Sequence, residues 1–208
     1  DPLDGSSNVK YNINSGTIYV IYEFDHLSNK FVKIIKAGYC LFGPSTILVE
    51  TFDPVVSMYQ LDINNKFKFI KNLSFGSSKV YSINKSNEYN KEVDSIIKYY
   101  NKKNYSQRWV GTMVADCHRI LMSNGIFLYT GSVKNPDGKI RLFYEALPFC
   151  YIFNLVGGIG LDSNYNNYLD KLKYFNLNNI HCKASIILCS NEEYKQLKIV
   201  LTSLEDTN

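Results

Sequence analysis

Two carboxylates open the chain on either side of a Pro-Leu step and are followed by a run of small residues, in Asp1-Pro2-Leu3-Asp4-Gly5-Ser6-Ser7-Asn8. Carboxylate oxygens are the ligands a hard cation such as Mg²⁺ prefers, and a small-residue turn leaves backbone N–H groups open to phosphate oxygens. A helix starting at the serines would also turn its positive end toward that phosphate. The order therefore suits metal-assisted phosphate chemistry, although on spacing alone a solvated turn is the simpler reading. A third acid, Glu145, falls where an apolar strand, Ile140 to Phe143, passes into an apolar helix ending at Gly157-Gly158. Strand ends are held rigidly and face clefts, which suits a catalytic group, and a helix N-terminal acid favoured by the dipole fits the same place.

The elements that must position these groups change character along the chain. Gly16 to Ile70 reads as strands rich in β-branched and aromatic residues, broken by turns at Ser28-Asn29, Gly43-Pro44 and Asn64-Asn65, which predicts a largely antiparallel sheet. The small, polar segment 72–78 is the best internal boundary and divides a first part, 1–78, from a second, 79–208. Helical spacing follows over Glu88 to Lys103 through Val93, Ile96, Ile97 and Tyr100, and again over Thr112 to Met122. Gly125 to Tyr129 reads as a strand, Pro136-Asp137-Gly138 as a tight turn, and Ile140 to Phe143 as a returning strand. A last strand over Ile186 to Cys189 and a helix from Glu192 to Leu201 complete a mixed α/β second part. The fold class is thus layered α/β.

Composition narrows the class of function. The 208 residues, 45% hydrophobic, suffice for a substantial core, and the apolar runs fall far short of the roughly 18 residues a spanning helix needs, which argues against a membrane partner. A net charge of +4 suits anionic substrates as readily as nucleic acid. The interleaved Lys98-Tyr99-Tyr100-Asn101-Lys102-Lys103 reads as a solvated helix end in preference to a nucleic-acid patch. Cys40, Cys117, Cys150, Cys182 and Cys189 form no C-x-x-C pair, so reduced thiols and a cytoplasmic, reducing setting are expected.

The opening eight residues resemble the metal-binding signature of class I fructose-1,6-bisphosphatases, and further segments resemble that family in its own order. They are Ser15 to Tyr19, Gly38 to Gly43, Tyr81 to Asn84, Arg108 to Arg119 (with Val114-Ala115-Asp116-Cys117-His118-Arg119), Gly125 to Tyr129, and Lys139 to Ala146. Inositol phosphatases share the first motif but lack the Val-Ala-Asp-x-His-Arg segment, and sedoheptulose bisphosphatases normally carry Val-Pro-Asp there. The resemblance implies Mg²⁺-dependent removal of the 1-phosphate of fructose 1,6-bisphosphate, with Mn²⁺ or Zn²⁺ as possible replacements. It assigns Asp1, Asp4 and Glu145 to the metals with help from the Leu3 carbonyl, and the Gly5-Ser6-Ser7 backbone to the 1-phosphate. Asn84, Trp109, Tyr129 and Lys139 fall to the sugar phosphate. Arg108 would reach the 6-phosphate pocket of a neighbouring subunit in a homo-oligomer, a dimer or tetramer. Met113 is placed near the sugar ring, though it suits helix core equally.

Several positions depart from the family pattern. Asn87 and Trp109 stand where phosphate-binding tyrosines are usual, Lys10 replaces an Asp beside the metal motif, and Glu23 replaces an Arg that contacts the inhibitor AMP. The family also supplies further metal-binding acids and a water-activating acid from upstream of the signature, so the chain is read as the C-terminal two thirds, inactive alone. The rival readings are a non-catalytic relative retained as an oligomeric binding protein, and a phosphatase for a related sugar bisphosphate such as sedoheptulose 1,7-bisphosphate.

Overall fold

The strand-rich first part folds into an antiparallel meander of β1 (Ser15–Asp25), β2 (Lys30–Phe42), β3 (Thr46–Phe52), β4 (Val55–Leu61) and β5 (Phe67–Asn72), neighbours in space as in sequence. This is a computed structural model and describes residues 1–84, 89, 91–132 and 135–205. Asn29 and Asn65 supply the left-handed conformation the reversals need, at φ 54° and 58°, which Asn adopts more readily than most residues. Alternation along β1 and β2 turns Ile18, Phe31, Ile34, Tyr39 and Leu41 inward, where each is buried.

Beyond the irregular 73–79 stretch, β6 (Val80–Ile83) leads to α1 (Lys91–Lys102), β7 (Ser106–Gln107), α2 (Met113–Ser123) and β8 (Gly125–Tyr129). After β9 (Ile140–Arg141) come α3 (Leu147–Leu155), β10 (Gly158–Leu161), β11 (Lys183–Ala184), β12 (Ile186–Ser190) and α4 (Asn191–Glu205). The second sheet runs β10-β12-β8-β6-β7, parallel where β6 meets β7 and β8 and antiparallel elsewhere.

Apolar patterning decides the layers. Helix α3 is apolar on all sides and, with α2, fills the space between the two sheets in one continuous core with Tyr39, Val49, Phe127 and Leu188. Helix α1 is apolar on one stripe only, Val93, Ile96, Ile97 and Tyr100, and packs with α4 on the far face of the second sheet. The order is sheet, helices, sheet, helices, the layered α/β architecture the sequence predicts.

One element differs from its sequence reading. Only Ile140–Arg141 of the expected returning strand is extended, and it pairs with β11, not β8. From Leu142 the chain winds as a π-helical turn, Leu142–Ala146, closed by the Leu147 N–H on the Leu142 carbonyl. Pro148, at the start of α3, has no N–H to give the regular helical ladder, and the wider turn accommodates it. Glu145 therefore sits on a π-turn and not at a strand end.

Candidate metal and phosphate site

The first four residues are held in place by pairing with the start of β1. Asp4 exchanges backbone hydrogen bonds with Gly16 at 2.8 and 3.1 Å, the Ile18 N–H donates to the Asp1 carbonyl at 2.8 Å, and the Thr17 hydroxyl donates to the Pro2 carbonyl at 2.9 Å. Gly16 matters to this geometry, because a Cβ there would lie 2.2 Å from the Cys40 carbonyl oxygen and 2.7 Å from Val114 Cγ2. Without a side chain at Gly16, α2 comes close enough for its Val114 N–H to donate to Asp4 Oδ2 at 2.7 Å. Asp4 is only 6% exposed. Burial pushes its carboxyl up to about 6, against the opposing pull of the Val114 N–H.

Glu145 arrives from the π-turn, which is tied to β1 by the Tyr22 hydroxyl donating to the Phe143 carbonyl at 2.6 Å. Its carboxylate accepts the Arg141 N–H in a short hydrogen bond, and burial raises its pKa, with the Asp4 charge adding to the rise. Carboxylate oxygens of Asp1, Asp4 and Glu145 all lie within 4.8 Å of one another. Three acids this close, two of them nearly buried, need a proton or a cation among them. An all-oxygen donor set fits a hard divalent cation.

Around this cluster lies a cleft of about 260 Å³ lined by Asp1, Leu3, Asp4, Gly5, Ser6 and Ser7 on one side and residues 109, 111–113, 127 and 129 on the other, with Lys139 at its rim. The serines begin a 3₁₀ helix, Ser6–Tyr11, and both are exposed. Gly5 turns the chain at φ +78° against Thr112, whose Cγ2 would stand 2.0 Å from a Cβ on Gly5. The Thr112 hydroxyl is buried and has no partner among the described residues, leaving it able to serve a bound oxyanion. Trp109 stacks on Phe127 at 6.3 Å and 7°, and both stand within 6.4 Å of the Tyr129 ring. A larger recess on the other face of the second sheet, lined by Tyr89, Val93, Thr130 and Tyr165, presents no acid among the described residues and no comparable chemistry.

Comparison with known proteins bears directly on this cleft. Residues 1–72 match the model of the fructose-1-6-bisphosphatase N-terminal domain, and residues 76–202 match that of the C-terminal domain. The chain belongs to the fructose-1,6-bisphosphatase family. It is 37% identical to a class 1 fructose-1,6-bisphosphatase of Sulfurihydrogenibium sp. over 97% of its own length and 64% of the relative's. It is 34% identical to fructose-1,6-bisphosphatase 1 of Rattus norvegicus over 94% of this chain and 58% of that one. Its fold superimposes on the holo form of Leishmania major fructose-1,6-bisphosphatase with a TM-score of 0.86 at 28% identity, covering 97% of this chain and 67% of that structure. The chain thus spans between half and two thirds of the length of the curated relatives described here.

Within this family member the cleft gathers Asp1, Leu3, Asp4, Gly5, Ser6, Ser7, Trp109, Tyr129, Lys139 and Glu145, and also Met113, which is 4% exposed and serves the core as well. Asn84, expected at the sugar phosphate, does not line it, and neither does Arg108, which is expected to serve a neighbouring subunit instead. Asn84 follows the end of β6, half-buried, and Arg108 is exposed with its Nη1 donating to the Gln107 carbonyl at 3.0 Å. Asn87 lies outside the described residues. Lys10, expected near the metal motif, turns onto the Tyr11 ring at 4.8 Å and does not line the cleft. Glu23 is half-exposed on β1 and pairs with Lys33 at 3.1 Å. Phe127 and Thr112 were missed. Phe127 could have been found by strand alternation, since it shares a face with Tyr129; nothing local marks Thr112.

All five cysteines are free thiols. Among the described residues no helix is long and apolar enough to cross a membrane.

Proposed function

We propose that the protein carrying this chain hydrolyses the 1-phosphate of fructose 1,6-bisphosphate, releasing fructose 6-phosphate and phosphate as a step of gluconeogenesis in the cytoplasm. The observation that supports this best is the meeting of Asp1, Asp4 and Glu145 within 4.8 Å, beside the turn Gly5-Ser6-Ser7. Asp1, Asp4 and Glu145, with the Leu3 carbonyl, would hold Mg²⁺, or Mn²⁺ or Zn²⁺ in its place. Bound there, the cation supplies charge neutralisation of the phosphoryl group and activation of water. The backbone of Gly5, Ser6 and Ser7 holds the 1-phosphate, and Trp109 and Tyr129 bound the sugar. Lys139 supplies a point charge, Asn84 a neutral donor, and Arg108 of a neighbouring subunit in a dimer or tetramer grips the 6-phosphate. The first part of the chain, 1–78, carries the metal motif and the second, 79–208, the sugar-phosphate pocket. Nucleic acid and membrane have no part in this reading.

The wide Trp109 indole at the cleft wall favours one alternative, a related substrate such as sedoheptulose 1,7-bisphosphate. Phosphate release from both bisphosphates, with and without Mg²⁺, tests the proposal. Activity of the complete protein on neither substrate, or activity untouched by Asp4→Ala or Glu145→Ala, would overturn it. The 208 residues alone should not turn over.

A further inference from the structure

Asp116, in the first turn of α2, is fully buried, and no role in the cleft chemistry accounts for it. Its carboxylate is wholly engaged: Oδ1 accepts the Ser82 hydroxyl at 2.9 Å and the Val110 N–H at 3.0 Å, while Oδ2 accepts the Val110 and Gly111 N–H groups at 3.1 and 2.9 Å. Ser82 belongs to β6, two residues before Asn84, and Val110 and Gly111 follow Trp109. The same loop is held from its other side, where Asn8 Nδ2 donates to the Gly111 carbonyl at 3.3 Å. One turn of helix thus presents Val114 to Asp4 and Asp116 to the loop that forms the opposite wall of the cleft.

We propose that Asp116 is a positioning residue that fixes the Trp109–Thr112 wall of the cleft, and the end of β6 beside it, in the orientation that receives the sugar bisphosphate. Its two backbone neighbours are donors, and the Ser82 hydroxyl also turns its hydrogen toward Oδ1, so the carboxylate accepts all four contacts. An asparagine with its amide oxygen at the Oδ2 place would still accept from Val110 and Gly111, but its NH₂ group would face the Val110 N–H and force the Ser82 hydroxyl to turn and accept, and the charge behind all these contacts would be lost.

The inference rests on the cleft being the sugar bisphosphate site, and its test separates the two. Trp109 is the only tryptophan in the chain, so its fluorescence reports the wall directly. In Asp116→Asn, acrylamide quenching of Trp109 should rise about twofold. The fructose 1,6-bisphosphate concentration for half-saturation should rise about tenfold or more, as loss of a charge-assisted contact implies, with a smaller change in kcat. Asp116→Glu should recover part of the affinity. A folded Asp116→Asn variant with wild-type quenching and wild-type half-saturation overturns the proposal. A shift in quenching in a protein that takes no sugar bisphosphate leaves the positioning role standing and removes the substrate reading. Should Asp116→Asn fail to fold, Ser82→Ala decides: a smaller quenching shift in the same direction supports the proposal, and none overturns it.

Discussion

Asp4 and Val114, 110 residues apart in sequence, meet in a buried 2.7 Å hydrogen bond. Thr112, the residue at the N-cap of α2, makes no side-chain capping bond of its own, so an acid from the other end of the chain caps the helix instead. The group best placed to hold a cation also secures the element that shapes the opposite wall of the cleft.

The two roles separate on substitution. Asp4→Ala removes the acceptor and should lower stability by about 1 kcal/mol, the usual cost of a lost cap. Asp4→Asn keeps a carbonyl oxygen for the Val114 N–H and should retain most of that stability while losing Mn²⁺ affinity. Denaturant unfolding and calorimetric Mn²⁺ titration measure the two independently, and equal destabilisation by both variants would refute the capping role.

Gly5→Ala should destabilise the protein by about 1–3 kcal/mol, because φ +78° is a costly backbone conformation for alanine and its Cβ would run into Thr112 Cγ2. The two causes can be told apart. Thr112→Ser deletes the methyl group that is struck, so the double variant should regain the steric share and keep the backbone share. Full additivity in thermal melts would show that the contact does not matter.

Much of this architecture is legible in the residues. Runs of β-branched and aromatic residues broken by turns mark the antiparallel first sheet, and the 3–4 spacing of Val93, Ile96, Ile97 and Tyr100 marks α1 without help from its neighbours. The pairing of Asp1 and Asp4 was local and could be read directly. What escaped was set by distant partners: the π-turn under Glu145, forced by the junction with α3 and Pro148, and the Thr112 side of the cleft, which exists only because Gly16 admits α2. Where the Lys10 ammonium goes is likewise not legible from its spacing to Asp4, because the adjacent Tyr11 ring is what it lies over.

Acid should unfold the protein partly through His118. Its ring is half-buried with Nδ1 2.8 Å from the Tyr39 hydroxyl, and burial, with the Lys71 charge adding, pushes its pKa from 6.5 down to about 4. A depressed folded-state value means that the neutral ring contributes stability above pH 6.5, and that this is lost as pH falls toward 4. The loss amounts to about 3 kcal/mol at most. Denaturation curves collected across this window should show His118→Gln less sensitive to pH than the wild type, and parallel pH dependence of the two would rule His118 out.

AMP should inhibit the complete protein weakly or not at all. The resemblance implies an Arg that contacts AMP at the place of Glu23, whose carboxylate is half-exposed on β1 and paired across the strands with Lys33 at 3.1 Å. That pair is a surface ion pair, worth about 0–1 kcal/mol to stability, so removing it should leave the fold unaffected. Toward an arriving phosphate, however, Glu23 is a like charge, and the nearest lysine is already neutralised by it. At about 4 Å and the effective dielectric of a protein surface, replacing attraction by repulsion changes the interaction by several kcal/mol before solvent screening reduces it. Glu23→Arg reverses the sign and should confer AMP sensitivity, whereas Glu23→Ala should change it only slightly. Potent inhibition of the wild type by AMP, with no gain in the arginine variant, would show that the nucleotide is held by other groups.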